Sequence, residues 1–348
     1  TAEDPCAGLP DPERMAGDPP DLDLDHPWGL EPDQAVTLAR DCEAAGLDAD
    51  ERITNTEGGS LSTHRGLRVY ANSHGFTGGY ASTSHSLSCA LIAGKGDQMQ
   101  RDYWYTLSRR AADLESPAAV GRRAAERTLR RLGARKLSTR TVPVLFVPEL
   151  ARGFIGHLVG AAKGGAQYRK ASFLLGAAGS QVLPDWLSIA ERPHLPGAMG
   201  SAPFDAEGVA THDRLLVEDG VLQGYVLSTY SARRLGLQTT GNAGGIHNLL
   251  VNGNGPDFQA LLQQMGRGMV VTELMGQGVN GVTGDYSRGA SGFWVEGGEI
   301  VHPVQEVTIA GNLKALYLDI QAVGSDVDRR GVIQSGSILV GRMTVAGD

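Results

Sequence analysis

The chain has 348 residues, more than one hydrophobic core usually serves, and this length predicts two domains. Its net charge of −8 argues against direct nucleic-acid binding, which draws on lysines and arginines that displace counterions from phosphates. No apolar run approaches the ~18 residues of a bilayer-spanning helix, so no membrane contact is expected, and three widely spaced cysteines, Cys6, Cys42 and Cys89, make neither a disulfide framework nor a zinc knuckle. A reducing, cytoplasmic compartment fits them best.

The 48 glycines are roughly twice the average share and crowd the second half, where they predict tight turns. The expected fold class is therefore α+β: a β-rich two-domain chain with mostly antiparallel sheets and a few helices. Residues 1–32, rich in proline and aspartate, read as an extended linker. The opening TAEDPCAGLPDPE lacks an initiator Met, and a missing N-terminal portion is expected before it.

A middle domain is expected over residues 33–136. The periodic apolar residues Ala35, Leu38, Ala39, Cys42 and Ala45, with Gly46 following, predict an amphipathic helix over 33–45. Between Glu51 and Leu107 short alternating runs predict a β-meander with turns at Asn72–Gly75, Thr77–Gly79 and Gly94–Asp97. Ser116 and Pro117 supply an N-cap and a first-turn proline for a helix to Leu132. The eight basic residues from Arg122 to Arg140 read as a solvated face and linker.

The C-terminal domain is expected over residues 137–348. It opens with a buried strand over Thr141–Val147 and a proline-led helix from Pro148 to about Ala162. Further on, Glu218-Asp219-Gly220 predicts a hairpin, Asp257–Met265 a helix, and Glu296–Gly298 a second hairpin followed by a short helix after Gly311.

The helix from Pro148 carries the candidate chemistry. His157 shares a face with Leu150, Phe154, Leu158 and Ala161, but a zinc-binding helix needs a second ligand one turn away, and Gly153, Phe154, Gly160 and Ala161 stand there. Among the other histidines, His64, His74, His85, His194, His212, His247 and His302 form no ligand spacing. Gly276-Gln-Gly278-Val-Asn-Gly281 matches a dinucleotide fingerprint in letters, yet no helix follows it. Gly289-Ala-Ser291-Gly292 lacks the spacing of a nucleophile elbow and reads as a glycine turn. Tyr168, Arg169, Lys170 and Ser172 combine cations with hydroxyls after a glycine turn, a grouping suited to a carboxylate or a peptide carbonyl and equally to a solvated loop.

Long strings, among them GFIGHLVGAAKGGAQYRKASFL, QVLPDWLSI, YSARRLGLQTTGNAGG and VTELMGQGVNGVTGDYSRGASGFWVEGGEI, resemble the PmbA/TldE branch of the TldD/PmbA family. The resemblance covers nearly the whole chain and implies a subunit of a two-subunit bacterial protease. In that pair the TldD-type partner carries zinc on an H-E-x-x-x-H helix with a later cysteine. Aligned on the preceding strand, this chain has Pro148 and Gly153 at the two histidine positions and keeps Glu149; aligned on Gly156-His157, it keeps one histidine and has Arg152 and Gly153 at the other histidine and the glutamate. Ser335 stands where the cysteine would be. The resemblance therefore implies no catalytic residue and no metal in this chain, zinc in a TldD-type partner, a heterodimer (or a homodimer when alone), and unfolded or extended peptides such as antitoxins and bacteriocin (microcin) precursors as substrates. Glu149, His157, Tyr168, Arg169, Lys170 and Ser172 are the expected substrate or interface contacts. Two rivals remain: a metallopeptidase active alone, with ligands drawn from His157, Glu149 and His212, and a gyrase-modulating interaction protein.

Overall fold

The computed structural model describes residues 3–347. They form two compact units, the smaller comprising Asp23–Arg68 and Gly79–Arg135 and the larger the rest. The smaller unit holds α1 (Pro32–Leu47), most of β1 (Ile53–Ala71) and β2 (Thr77–Ala93), then β3 (Gln100–Ser108) and α2 (Pro117–Leu129). Pro32 starts α1, where Glu31 and Gln34 bond each other's backbone in a capping box. At α2 the Ser116 hydroxyl accepts from the Ala119 amide.

The three strands pair in chain order. Alternate residues of β2, including Leu87, Cys89, Leu91 and Ala93, point into a core shared with Cys42, Trp104, Val120 and Ala124. The expected turn at Thr77–Gly79 lies inside β2, and the runs of the predicted meander are three strands of 19, 17 and 9 residues. Cross-strand pairing overrides the local turn preference of Gly78 and Gly79, because strand propensity depends on its neighbours.

In the larger unit the elements are β4 (Arg140–Phe146), α3 (Pro148–Ala162), α4 (Gly164–Tyr168), β5 (Ser188–Glu191), β6 (Arg214–Glu218), β7 (Val221–Leu222), α5 (Thr229–Leu235), β8 (Leu249–Asn252) and α6 (Phe258–Met265). There follow β9 (Gly268–Met275), β10 (Asp285–Glu296), β11 (Glu299–Asn312), α7 (Leu313–Leu318), β12 (Ile320–Val323), β13 (Ile333–Gln334) and β14 (Ile338–Ala346). One sheet runs β11-β10-β9-β4-β14-β12, and β11 also pairs with β14, so that five of its strands close into a ring. Its pairings are antiparallel except β4 with β9. The second sheet, β13-β8-β5-β6-β7, is antiparallel except β13 with β8. The chain is thus α+β with mostly antiparallel sheets, as its composition and turn signals predict.

The hairpin of β6 and β7 turns on Asp219 and Gly220, both at positive φ, the geometry that selects an Asp-Gly pair. Residues 289–292, expected as a turn, lie within β10, which bulges near Ser291. Within the expected linker, of which Thr1 and Ala2 lie outside the described residues, a turn stands at Pro5 and Cys6 and a 3₁₀ turn at Pro12–Arg14, and Ala16, Leu22 and Leu24 are buried.

Helix α3 begins at Pro148, whose missing N–H costs nothing in a first turn. Its inner face buries Ala151, Phe154, Ile155, Leu158 and Val159 in the main core. Phe154 stacks on Phe146 at 5.0 Å and packs on Tyr317 at 4.8 Å, and the Tyr317 hydroxyl donates to the Phe154 carbonyl at 2.7 Å. These contacts fix the rotation of α3 and hence where Glu149 and His157 point.

Candidate functional site

At the first turn of α3 the Glu149 carboxylate meets the Arg330 guanidinium at 3.6 Å. Arg330 also forks onto Asp328, with Nε at 2.9 Å and Nη2 at 3.2 Å from its two oxygens, while Arg152, one turn along α3, reaches Asp328 at 3.4 Å. Two acids and two arginines thus neutralise one another. Burial pushes the Asp328 carboxyl up, but the Arg330 hydrogen bonds and the charges of Arg330 and Arg152 outweigh it and hold it below the usual carboxylate range. The other positions of the implied zinc motif offer little: Pro148 and Gly153 have no donor atom, and Ser335 is fully buried with its hydroxyl donating to the Gly336 carbonyl at 2.9 Å. These residues do not fit a zinc ion, which needs three or four imidazole, thiolate or carboxylate donors.

Two turns further along α3 lies a cavity of about 270 Å³, lined by His157, Gly160, Phe173, Gln277, Val279 and Arg288 among others. A Cβ on Gly160 would meet nothing within 4 Å, so the helix leaves that wall open. The loop opposite owes its path to the fingerprint-like glycines: a Cβ on Gly278 would sit 1.8 Å from the Ser287 carbonyl oxygen, so this loop lies hard against β10 rather than cradling a phosphate. Tyr286 and Arg288, two apart on β10, share one face of the strand. The Tyr286 ring meets the His157 ring edge-on at 5.9 Å.

Burial, with a smaller contribution from Arg288, lowers the pKa of His157. Burial also pushes the Tyr286 hydroxyl up to about 12, against the opposing pull of Arg288. Both rings are therefore neutral near pH 7. Arg288 Nε is buried without a hydrogen-bond partner among the described residues, whereas the Tyr286 hydroxyl lies close enough to the Arg288 side chain for a hydrogen bond to work against the effect of burial.

The remaining expected contacts separate. Tyr168 stacks edge-on with Tyr230 at 5.9 Å and lies beneath the guanidinium groups of Arg169 and Arg234, at 5.2 and 5.4 Å. Lys170 is exposed, at a positive φ of 57°. Ser172 turns inward: it donates to the Ala161 carbonyl at 2.7 Å and accepts from Gln167 and the Leu174 amide, a structural bracket behind α3. Glu149, His157 and His212 do not come together as a ligand set among the described residues. Asp328, Arg330, Tyr286 and Arg288 escape sequence reasoning, since each acts on residues more than a hundred positions away and no local spacing marks it.

The larger unit thus sets a proline-led helix on a closed sheet, with a second small sheet in the same unit, and comparison with known families assigns this architecture to the PmbA/TldA metallopeptidases. The chain belongs to that family: residues 25–132 match its central domain and residues 139–347 its C-terminal domain. Metalloprotease PmbA of Escherichia coli O157:H7 is 55% identical across the whole of this chain, which spans 77% of that relative. A PmbA homolog of Haemophilus influenzae is 52% identical over the same share. Among solved structures, a Bacteroides thetaiotaomicron protein described as a candidate modulator of DNA gyrase matches 100% of this chain and 80% of its own, with 31% identity and a TM-score of 0.94. TldE of Thermococcus kodakarensis, at 21% identity and a TM-score of 0.86 over 100% of this chain and 81% of its own, shares the fold.

Proposed function

We propose that this chain is the zinc-less subunit of a TldD/TldE-type heterodimeric metalloprotease, working in the cytoplasm on unfolded peptides such as antitoxins and bacteriocin precursors. The TldD-type partner carries the zinc and the chemical step; this chain supplies architecture and peptide contacts, in part through strand pairing with exposed backbone edges. The observation that supports this reading most is Glu149. The one acid kept from the implied motif is already paired with Arg330, and proline, glycine and a bonded serine stand at the remaining positions. The cytoplasmic placement rests on Cys6, Cys42 and Cys89, all free thiols.

The test is co-expression with the matching TldD-type subunit, followed by cleavage of casein or an unfolded peptide, with each subunit alone as control. Activity is expected in the pair and absent from this chain alone, and the purified chain is expected to retain no stoichiometric zinc. The name borne by the Escherichia coli relative favours a second reading, proteolysis by this chain itself. Chelator-sensitive cleavage by the isolated chain would establish it and overturn the first.

A further inference from the structure

The cavity beside His157 has an uneven charge. Arg288 is the charged residue of its lining, and no aspartate or glutamate stands among the residues that form it. A half-buried guanidinium whose Nε finds no acceptor carries a desolvation cost that the protein itself does not offset. Tyr286, two residues away on the same face of β10, lies behind this wall, and its ring meets that of His157 edge-on at 5.9 Å. Gln277 adds an amide to the wall, and Phe173 and Val279 make the rest apolar. Such a combination, a small, largely apolar chamber with a guanidinium and an amide in its wall and no carboxylate among its lining, is what a ligand pocket requires.

We infer that this cavity binds a carboxylate, presented by a peptide either at its C-terminus or on an acidic side chain. A planar carboxylate matches the guanidinium fork, accepting two parallel hydrogen bonds. One arginine without a lysine or a second arginine suits one negative charge better than a phosphate dianion. At about 270 Å³ the cavity falls just under the ~300–1,000 Å³ of drug-sized pockets, so it admits one or two residues and not a long segment. That the carboxylate belongs to a peptide rests on the subunit reading above; the preference for a carboxylate does not.

The test titrates the full chain, by calorimetry and by NMR of its histidine side chains, with acetyl-Ala-Ala-Ala as free acid, the same peptide as its amide, acetyl-Ala-Glu-Ala amide, and inorganic phosphate. At least one carboxylate probe is expected to bind, with the uncharged amide and phosphate weaker by roughly tenfold or more, the worth of a charged hydrogen bond. Preference for the free acid assigns the site to a C-terminus, and preference for the glutamyl peptide assigns it to a side chain. Arg288→Gln is expected to weaken the bound probe by a similar factor, and the His157 pKa to rise on binding as a negative charge arrives.

Gly160→Leu guards against a folding artefact, because Gly160 lines the cavity and an added Cβ there meets nothing within 4 Å. It should abolish binding while leaving the thermal midpoint unchanged or higher. Equal affinity for acid and amide, tighter binding of phosphate, or full affinity in either variant overturns the inference. Failure here leaves cleavage by the two-subunit enzyme untouched, and inactivity of that pair leaves carboxylate binding standing, so the two failures are distinguishable.

Discussion

Two arginine sites lie along α3 and face opposite fates. At the helix start, Arg330 and Arg152 are matched by Asp328 and Glu149 at distances of 2.9 to 3.6 Å. Eight residues on, about 12 Å along the axis, Arg288 stands in the wall of a cavity with a neutral histidine and no acid. The first cluster uses its charge internally, binding the helix to the segment that precedes β13. The second holds charge in reserve. The contrast separates structure from function on one helix: a saturated ion network holds the fold, whereas an unsaturated buried donor is carried at a cost and is available to a ligand.

Removing Asp328 should break the first site hardest. Asp328→Ala removes the buried carboxylate that Arg330 and Arg152 share, and a loss of about 3–5 kcal/mol is expected in the free energy of denaturant unfolding. A loss under about 1 kcal/mol would show that the network contributes little and would erase the contrast. Acid should act in the same direction. Because Asp328 is held below its unfolded value of ~3.9, its stabilisation is present above that value and is lost as pH falls through the lower folded value. Unfolding of the wild-type chain should therefore steepen with acid below about pH 4, and this part of the slope should be missing in Asp328→Asn.

The second site should respond the other way. Arg288→Gln is expected to change stability by no more than about 0.5 kcal/mol, since no ion pair is lost, while carboxylate affinity drops as described above. The smallest effect belongs to His157. A histidine held below its ordinary pKa makes the fold lose stability as pH falls from that ordinary value toward the folded one, because the unfolded chain takes up the proton first. Arg288→Gln should raise the His157 pKa by removing the lesser of its two depressing causes, leaving burial in place. A side-chain NMR titration that finds the value unmoved would place Arg288 too far away to matter.

Much of this fold is legible in the linear chain where one strong local signal acts within a few residues. Ser116-Pro117 and Pro148 mark helix starts to the residue, and Asp219-Gly220 and Gly297-Gly298 mark hairpins, because capping, fixed φ and positive φ are local matters. The misplaced turns at Thr77–Gly79 and Gly289–Gly292 are glycine pairs absorbed into long strands. There a ladder of cross-strand bonds outweighs the preference of two residues. The site divides in the same way. That Glu149 and His157 lie on a helix beginning at Pro148 follows from the residues alone, as does the want of a second ligand near either.

What surrounds those two side chains was decided only by tertiary structure. The sequence carries Asp328, Arg330, Tyr286 and Arg288 more than a hundred residues from their partners on α3, with nothing in their spacing to join them. Closure of the sheet through β11 and β14, with the core around Phe154 setting the rotation of α3, brings one arginine to a carboxylate and leaves the other facing an empty volume. Charge is written in the chain, but its neutralisation depends on distance, and distance across a fold is set by packing.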